Sequence, residues 1–154
     1  MDPTLQSVVR FFEADDIRHH VDEEGGSVSC SLAGRHGTLD VWVECNAGPN
    51  LFKVFVYAPV PVPEARRAEA TAFCNRVNWA IGPGALEMNP EDGRVRYRCS
   101  TWTDGAPPPD DALGYLVRGS FATLDGMLPA LMAVSWGNVA AADAYRMAME
   151  EESA

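Results

Sequence analysis

Apolar positions fall into two periods along this chain, and the switches between them mark the elements. Leu5, Val8, Val9 and Phe12 recur at i, i+3, i+4 and i+7, the spacing of a helix with one apolar face. Asp2 stands where an N-cap belongs and Pro3 at the first helical position. A polar run, Glu13 to Glu24, follows with six acids and one arginine. Ile17 and Val21 can anchor a short extended piece within it, and Gly25-Gly26 ends it.

Period two then takes over. Val28, Cys30 and Leu32 alternate with serines. Leu39, Val41, Val43 and Cys45 alternate with Thr38, Asp40, Trp42 and Glu44. Phe52, Val54, Val56 and Ala58 alternate with Leu51, Lys53, Phe55 and Tyr57. One apolar face per strand is the half-buried antiparallel pattern. The links Gly34–Gly37 and Asn46–Asn50 are short and turn-rich, so both read as hairpins.

Pro59 and Pro61 end that run. A helix is expected from about Pro63, with Ala70, Phe73, Cys74, Val77 and Ile81 as its stripe and Gly82-Pro83-Gly84 as its stop. A second hairpin sets Leu86 and Met88 against Val95, Tyr97 and Cys99 around the turn Asn89–Gly93. A proline-rich loop over 103–111 leads to a long helix carrying Leu113, Val117, Leu124, Met127, Leu131 and Val134. Asp110 or Asp111 is expected to cap that helix, and Pro129 to kink it. Asn138 is expected to cap a last helix, ending in an acidic tail from about 148.

The pattern predicts an α+β domain in the order α-β-β-β-α-β-β-α(-α), with an antiparallel sheet of about five strands. No internal repeat or domain boundary shows, so residues 1–154 read as a single domain.

Register follows from the faces, because a slip of one residue would turn a core face outward. Core opposite core sets Val43 against Val54 and Val41 against Val56. The other face then pairs Glu44 with Lys53 and Trp42 with Phe55, and the second hairpin pairs Glu87 with Arg96. That outer face gathers Trp42, Phe55, Tyr57, Arg94, Arg96, Arg98 and Trp102. Aromatics with arginines are the residue types enriched at protein–protein interfaces. Two readings stay open with comparable weight: a helix of the same chain covers this face, or a partner does.

Charge narrows the partners. The 154 residues carry 22 acids against 12 bases, a formal net charge of -10, and Lys53 is the only lysine beside eleven arginines. Nucleic acid and anionic membrane surfaces are excluded as main partners, since both need clustered positive charge. Arg118 and Asp125 interrupt the longest apolar stretch, Ala112–Trp136, which reads as a helix of a water-soluble protein. The Met-Asp-Pro-Thr start lacks a basic and an apolar region, so no signal peptide and a cytoplasmic location are expected.

Catalytic and metal constellations do not emerge. Cys30, Cys45, Cys74 and Cys99 are spaced by 15, 29 and 25 residues, with no C-x-x-C pair. Cysteines on apolar faces act mostly as small hydrophobes. Neighbouring His19 and His20 diverge in strand or helix and make a poor chelate. An acid–base hydrolase built on Asp15, Asp16 and His19 is the weakest reading, and His36 is placed in an exposed turn. The expectation is no catalytic residue, no metal and no cofactor.

Three segments carry a family resemblance: Val62-Pro63-Glu64-Ala65-Arg66-Arg67, Asn75-Arg76-Val77-Asn78-Trp79, and Pro90-Glu91-Asp92-Gly93-Arg94-Val95-Arg96-Tyr97-Arg98, joined by Leu128-Pro129-Ala130-Leu131. Together they resemble the YbjN family over roughly residues 4 to 146. The chain departs from the family in its acidic His19-His20 segment, in the Gly/Pro break after Ile81 and in the proline-rich loop at 106–109. The resemblance implies a fold similar to type III secretion chaperones, often dimeric, in proteins described as sensory transduction regulators. It brings no catalytic residues.

The resulting expectation is a non-enzymatic, cytoplasmic protein-binding module, chaperone-like or a regulatory adaptor. It would pair with a protein or with itself as a homodimer through Trp42, Phe55, Arg94, Arg96, Arg98 and Trp102. A small anionic-metabolite-binding domain and a dedicated secretion chaperone are the alternatives.

Overall fold

A computed structural model describes residues 1–153, apart from the side chains of Ala47, Glu152 and Ser153. Helix α1 (Pro3–Ala14) starts as its sequence dictates: Asp2 Oδ1 accepts from the Thr4 and Leu5 N–H groups at 2.9 and 3.2 Å. Leu5, Val8, Phe11 and Phe12 form its buried face. Strands β1 (His20–Asp22), β2 (Ser27–Ala33), β3 (Thr38–Gly48) and β4 (Leu51–Tyr57) follow. A single 3-10 turn, Glu64–Arg66, opens α2 (Arg67–Ala80). Then come β5 (Ala85–Met88), β6 (Val95–Trp102), the short α3 (Asp110–Gly114), α4 (Ser120–Trp136) and α5 (Ala141–Ser153).

The strands form one antiparallel sheet in the order β1-β2-β3-β4-β6-β5. It has six strands rather than about five, because the Val21 segment pairs with β2 as a full edge strand, Val21 opposite Val28. The expected register holds: Val43 faces Val54, Val41 faces Val56, Trp42 faces Phe55, Glu44 faces Lys53 and Glu87 faces Arg96. The inner face is almost wholly apolar. Val28, Leu39, Val41, Val43, Phe52, Val54, Val56, Leu86, Val95 and Tyr97 are each at most 2% exposed. Helix α4 packs across β3, β4 and β6, α1 against β2 and α2 against β5, and α5 lies on α2 and α4. The helices thus stand on one face.

Side chains from the helices tie down the turns. Asp125 on α4 is 5% exposed, and its two carboxylate oxygens accept the Arg35 and His36 N–H groups at 2.9 and 3.0 Å. Gly34 is required there, since a Cβ would come 2.3 Å from Asp125 Oδ1. Arg66 donates from Nε to Val134 O and from Nη2 to Val139 O, both at 2.8 Å, satisfying one carbonyl in the last turn of α4 and one in the link to α5. Asn78 clamps the start of β5 by giving Nδ2–H to Leu86 O (2.9 Å) and accepting Leu86 N–H on Oδ1 (2.8 Å).

Several expected helix ends differ. Asn138 sits at φ 53 outside the last helix. The cap comes from α2 instead, where Glu69 Oε1 accepts the Ala141 N–H at 2.7 Å, a carboxylate at the positive end of a helix. Pro109 occupies the cap position of α3, with Asp110 and Asp111 inside its first turn. Pro129 lies inside α4, and the hydrogen-bond pattern also changes before that helix, in a π turn at Tyr115–Gly119. Residues expected as an acidic tail continue α5, because Ala144 and Ala148 are buried one turn apart and Glu151 reaches His36 at 3.0 Å. Ala154, the last residue of the expected tail, lies outside the described residues. Among the described residues no helix is long and apolar enough to cross a membrane.

The Asp125 clamp gives a direct prediction. Asp125→Ala strands two backbone donors and removes a charge-assisted pair, which should cost about 2–4 kcal/mol. The thermal midpoint should fall by roughly 5–15 °C for a chain of this length. Asp125→Asn retains one acceptor oxygen and should lose about half as much, read by circular dichroism melting.

Candidate interaction surface

The outer face of the sheet is built in rows by the register. His20, Ser29, Trp42, Phe55, Arg98 and Ala85 form one row across all six strands. Ser31, Asp40, Tyr57, Arg96 and Glu87 form the next. Because the helices pack on the other face, this surface must hold itself together through its own side chains.

It does so by interleaving arginines with rings. The Arg94 guanidinium lies 4.6 Å from the Tyr57 ring centre, and that of Arg96 lies 4.3 Å from Phe55. Arg96 is a diagonal neighbour of Phe55 on the adjacent strand, where long side chains meet rings, and Arg94 reaches Tyr57 from the residue just before β6. Each such contact is worth about 0.5–1 kcal/mol at exposed sites. Glu87 on the edge strand fixes the outer ends: Arg98 reaches it from Nε (3.0 Å) and Nη2 (3.3 Å), and Arg96 from Nε (3.1 Å). Arg96 also donates to the Tyr57 hydroxyl at 3.3 Å. Partial burial pushes Glu87 up, but the hydrogen bonds and charges of Arg98 and Arg96 outweigh it and hold the carboxyl below its ordinary value.

The structure sorts the six expected contact residues. Trp42 is 39% exposed beside this ladder. Arg94 is exposed, and Arg96 and Arg98 are half-buried. Phe55 is only 4% exposed. With Arg96 stacked on it, it supports the guanidinium instead of offering a ring of its own. Trp102 is 77% exposed, but it stands at the far end of β6 opposite Leu51. At about 3.3 Å per residue it is roughly 13 Å beyond Arg98. It belongs to a different part of the surface.

A groove of about 820 Å³ opens on the β1–β4 side of the ladder, lined by residues that include Arg18, His20, Asp40, Trp42, Glu44 and Arg94. The groove carries both signs of charge. Arg18 and His20 escaped the sequence reading as residues of this groove because β1, only three residues long, shows no alternation to read, and Asp40, a polar position of β3, meets them only through the pairing of β1, β2 and β3. His19 lines the groove too, but its ring stacks on Phe12 with centres 5.6 Å apart and its Nδ1 lies 2.7 Å from Ile17 O. Asp15 pairs with Arg118. Their contacts tie Asp15 and His19 to the scaffold. Burial pushes the Cys30 thiol up to about 11 and those of Cys45 and Cys74 up to about 12, and raises Cys99 as well, which keeps all four protonated near neutral pH.

Glu87 supplies a pH test. A carboxyl held below its ordinary value adds stability that is complete above the unfolded pKa and is lost as pH falls through the folded one. Glu87→Gln should therefore lower the thermal midpoint at pH 7 by about 1–3 °C, a small effect because solvent screens the half-exposed pair. The difference from the natural chain should shrink to nothing in acid below the folded pKa, as read by melting curves across pH.

Comparison with known proteins adds a lineage. No curated protein matches the chain. A family profile described as "YbjN: Putative bacterial sensory transduction regulator" matches residues 4–132. The match ends before α5, short of the span to 146 expected from the motifs. It covers the whole sheet, α2, α3 and most of α1 and α4, and on that basis the chain belongs to the YbjN family.

Proposed function

We propose that this protein is a non-enzymatic protein-binding module, a chaperone-like or regulatory adaptor in bacterial signalling or stress responses. In this reading it works in the cytoplasm as a homodimer joined through the outer sheet face. The observation that carries it is exposed Trp42 beside a pre-ordered arginine–aromatic ladder, on a face that the helices leave open.

Physical chemistry favours such a surface for recognition. Its side chains are already held by Glu87, Tyr57 and Phe55, so docking costs little further rotamer entropy. About 37% of the Arg96 and Arg98 side chains remains open, enough for carboxylates to approach planar guanidinium donors. The groove beside them sets Arg18 and Arg94 near Asp40 and Glu44. A patch with both signs can be self-complementary under a twofold axis, which supports a second copy as partner. The regulator description of the family agrees with an adaptor role.

The groove volume also suits a small anion held by Arg18 and Arg94. Asp40 and Glu44 in the same walls weigh against that reading. A dedicated secretion chaperone would use the same face for an exported client.

Light scattering over a concentration series tests the homodimer. The natural chain should approach twice 16.7 kDa. Trp42→Ala should weaken association at least tenfold, as loss of a central aromatic anchor does, with a thermal midpoint unchanged within about 2 °C because the ring is exposed. A monomer at every concentration, or a dimer indifferent to Trp42→Ala and Arg94→Glu, overturns it.

A further inference from the structure

The most exposed aromatic pair in one groove lies away from the ladder. Trp102 is 77% exposed and Tyr115 81% exposed. Both line a cavity of about 480 Å³ whose other walls include Thr101, Asp104, Ala106, Pro107, Pro108 and Leu116. β6 delivers the tryptophan and the π turn after α3 delivers the tyrosine. The proline-rich loop between them packs Pro108 as a buried base. Two large rings standing open in one proline-lined cavity are an arrangement with a solvation cost and no return within the described chain.

We propose that this groove binds a proline-rich segment of another protein that carries arginine or lysine. Aromatic walls accept the ridges of a polyproline II helix, which has three residues per turn and little ordering entropy left to lose. Charge selects the rest of the ligand. Asp104 lines the groove, Asp110 and Asp111 follow directly from its Pro109 wall, and its lining residues include no lysine or arginine. All three carboxylates are on exposed residues. A cationic residue beside the prolines would meet them, and arginine, with its planar and weakly hydrated head, suits both the carboxylates and the rings. A second copy of this chain is disfavoured as occupant: groove against groove would bring acid to acid, and in its own proline segment, residues 59–67, Val62 is buried and Arg66 and Arg67 already donate to backbone carbonyls. The site is independent of the outer-face ladder and of the homodimer reading.

The test is fluorescence polarisation with a labelled twelve-residue polyproline peptide bearing two arginines. Two companions accompany it, one with the arginines replaced by glutamates and one with the prolines replaced by glycines. The arginine peptide should bind saturably, and both companions at least tenfold more weakly. Trp102→Ala and Tyr115→Ala should each weaken binding at least tenfold. The double variant Asp110→Asn, Asp111→Asn should weaken it several-fold, and added salt should do the same. Trp42→Ala should leave it unchanged, which separates failure here from failure of the outer-face reading. The substituted rings are solvent-exposed, so an unaltered melting curve verifies that each variant is folded. No saturable binding, equal binding of the glutamate peptide, or indifference to Trp102→Ala each overturns the proposal. So does self-association that Trp102→Ala abolishes.

Discussion

One sheet with helices on a single face is the constraint on which the rest of this molecule depends. Strict alternation in β2, β3, β4 and β6 sends one set of side chains into the helices and the other set out. A face without a helical cover has to find its stability among its own side chains. Here that role falls to stacked guanidinium groups on Phe55 and Tyr57, with Glu87 neutralising the edge. Individually these contacts are weak. Their effect is to order the surface in advance of any partner, which is what a recognition surface requires.

The residues that carry the family resemblance are mostly spent elsewhere. Arg66 satisfies a carbonyl in the last turn of α4, Arg67 reaches Pro90 O and Glu91 O, and Asn78 clamps β5. Gly93 takes φ 78 where a Cβ would meet Val62 O at 2.2 Å. Each ties one element to another. A signature made of such residues transmits a scaffold. Only Arg94, Arg96 and Arg98 in the third segment reach the open face.

Much of the scaffold was legible because burial writes itself into periodicity. Core opposite core was enough to set the β3–β4 register, and the Asp2-Pro3 start set the first helix. What escaped depends on partners distant in sequence. Glu69 caps α5 from 72 residues away, and Asp125 holds the Arg35 turn across 90. Neither leaves a local pattern. The same limit applies to the surface. Alternation placed Phe55 outside, but Arg96 folding over it decides that it is covered. Trp102 shares the outer face by parity and is separated from the ladder only by distance along the strand.

The central claim is that this chain leaves its outer sheet face open and that a second copy fills it. Hydroxyl-radical footprinting of tryptophan at low and high protein concentration tests both halves, with Trp79, 94% exposed on α2, as an internal reference. The account predicts that Trp42 is oxidised readily in dilute protein and protected in concentrated protein, while Trp79 stays equally reactive in both. Protection of Trp42 even at high dilution, or full reactivity at every concentration, would contradict it.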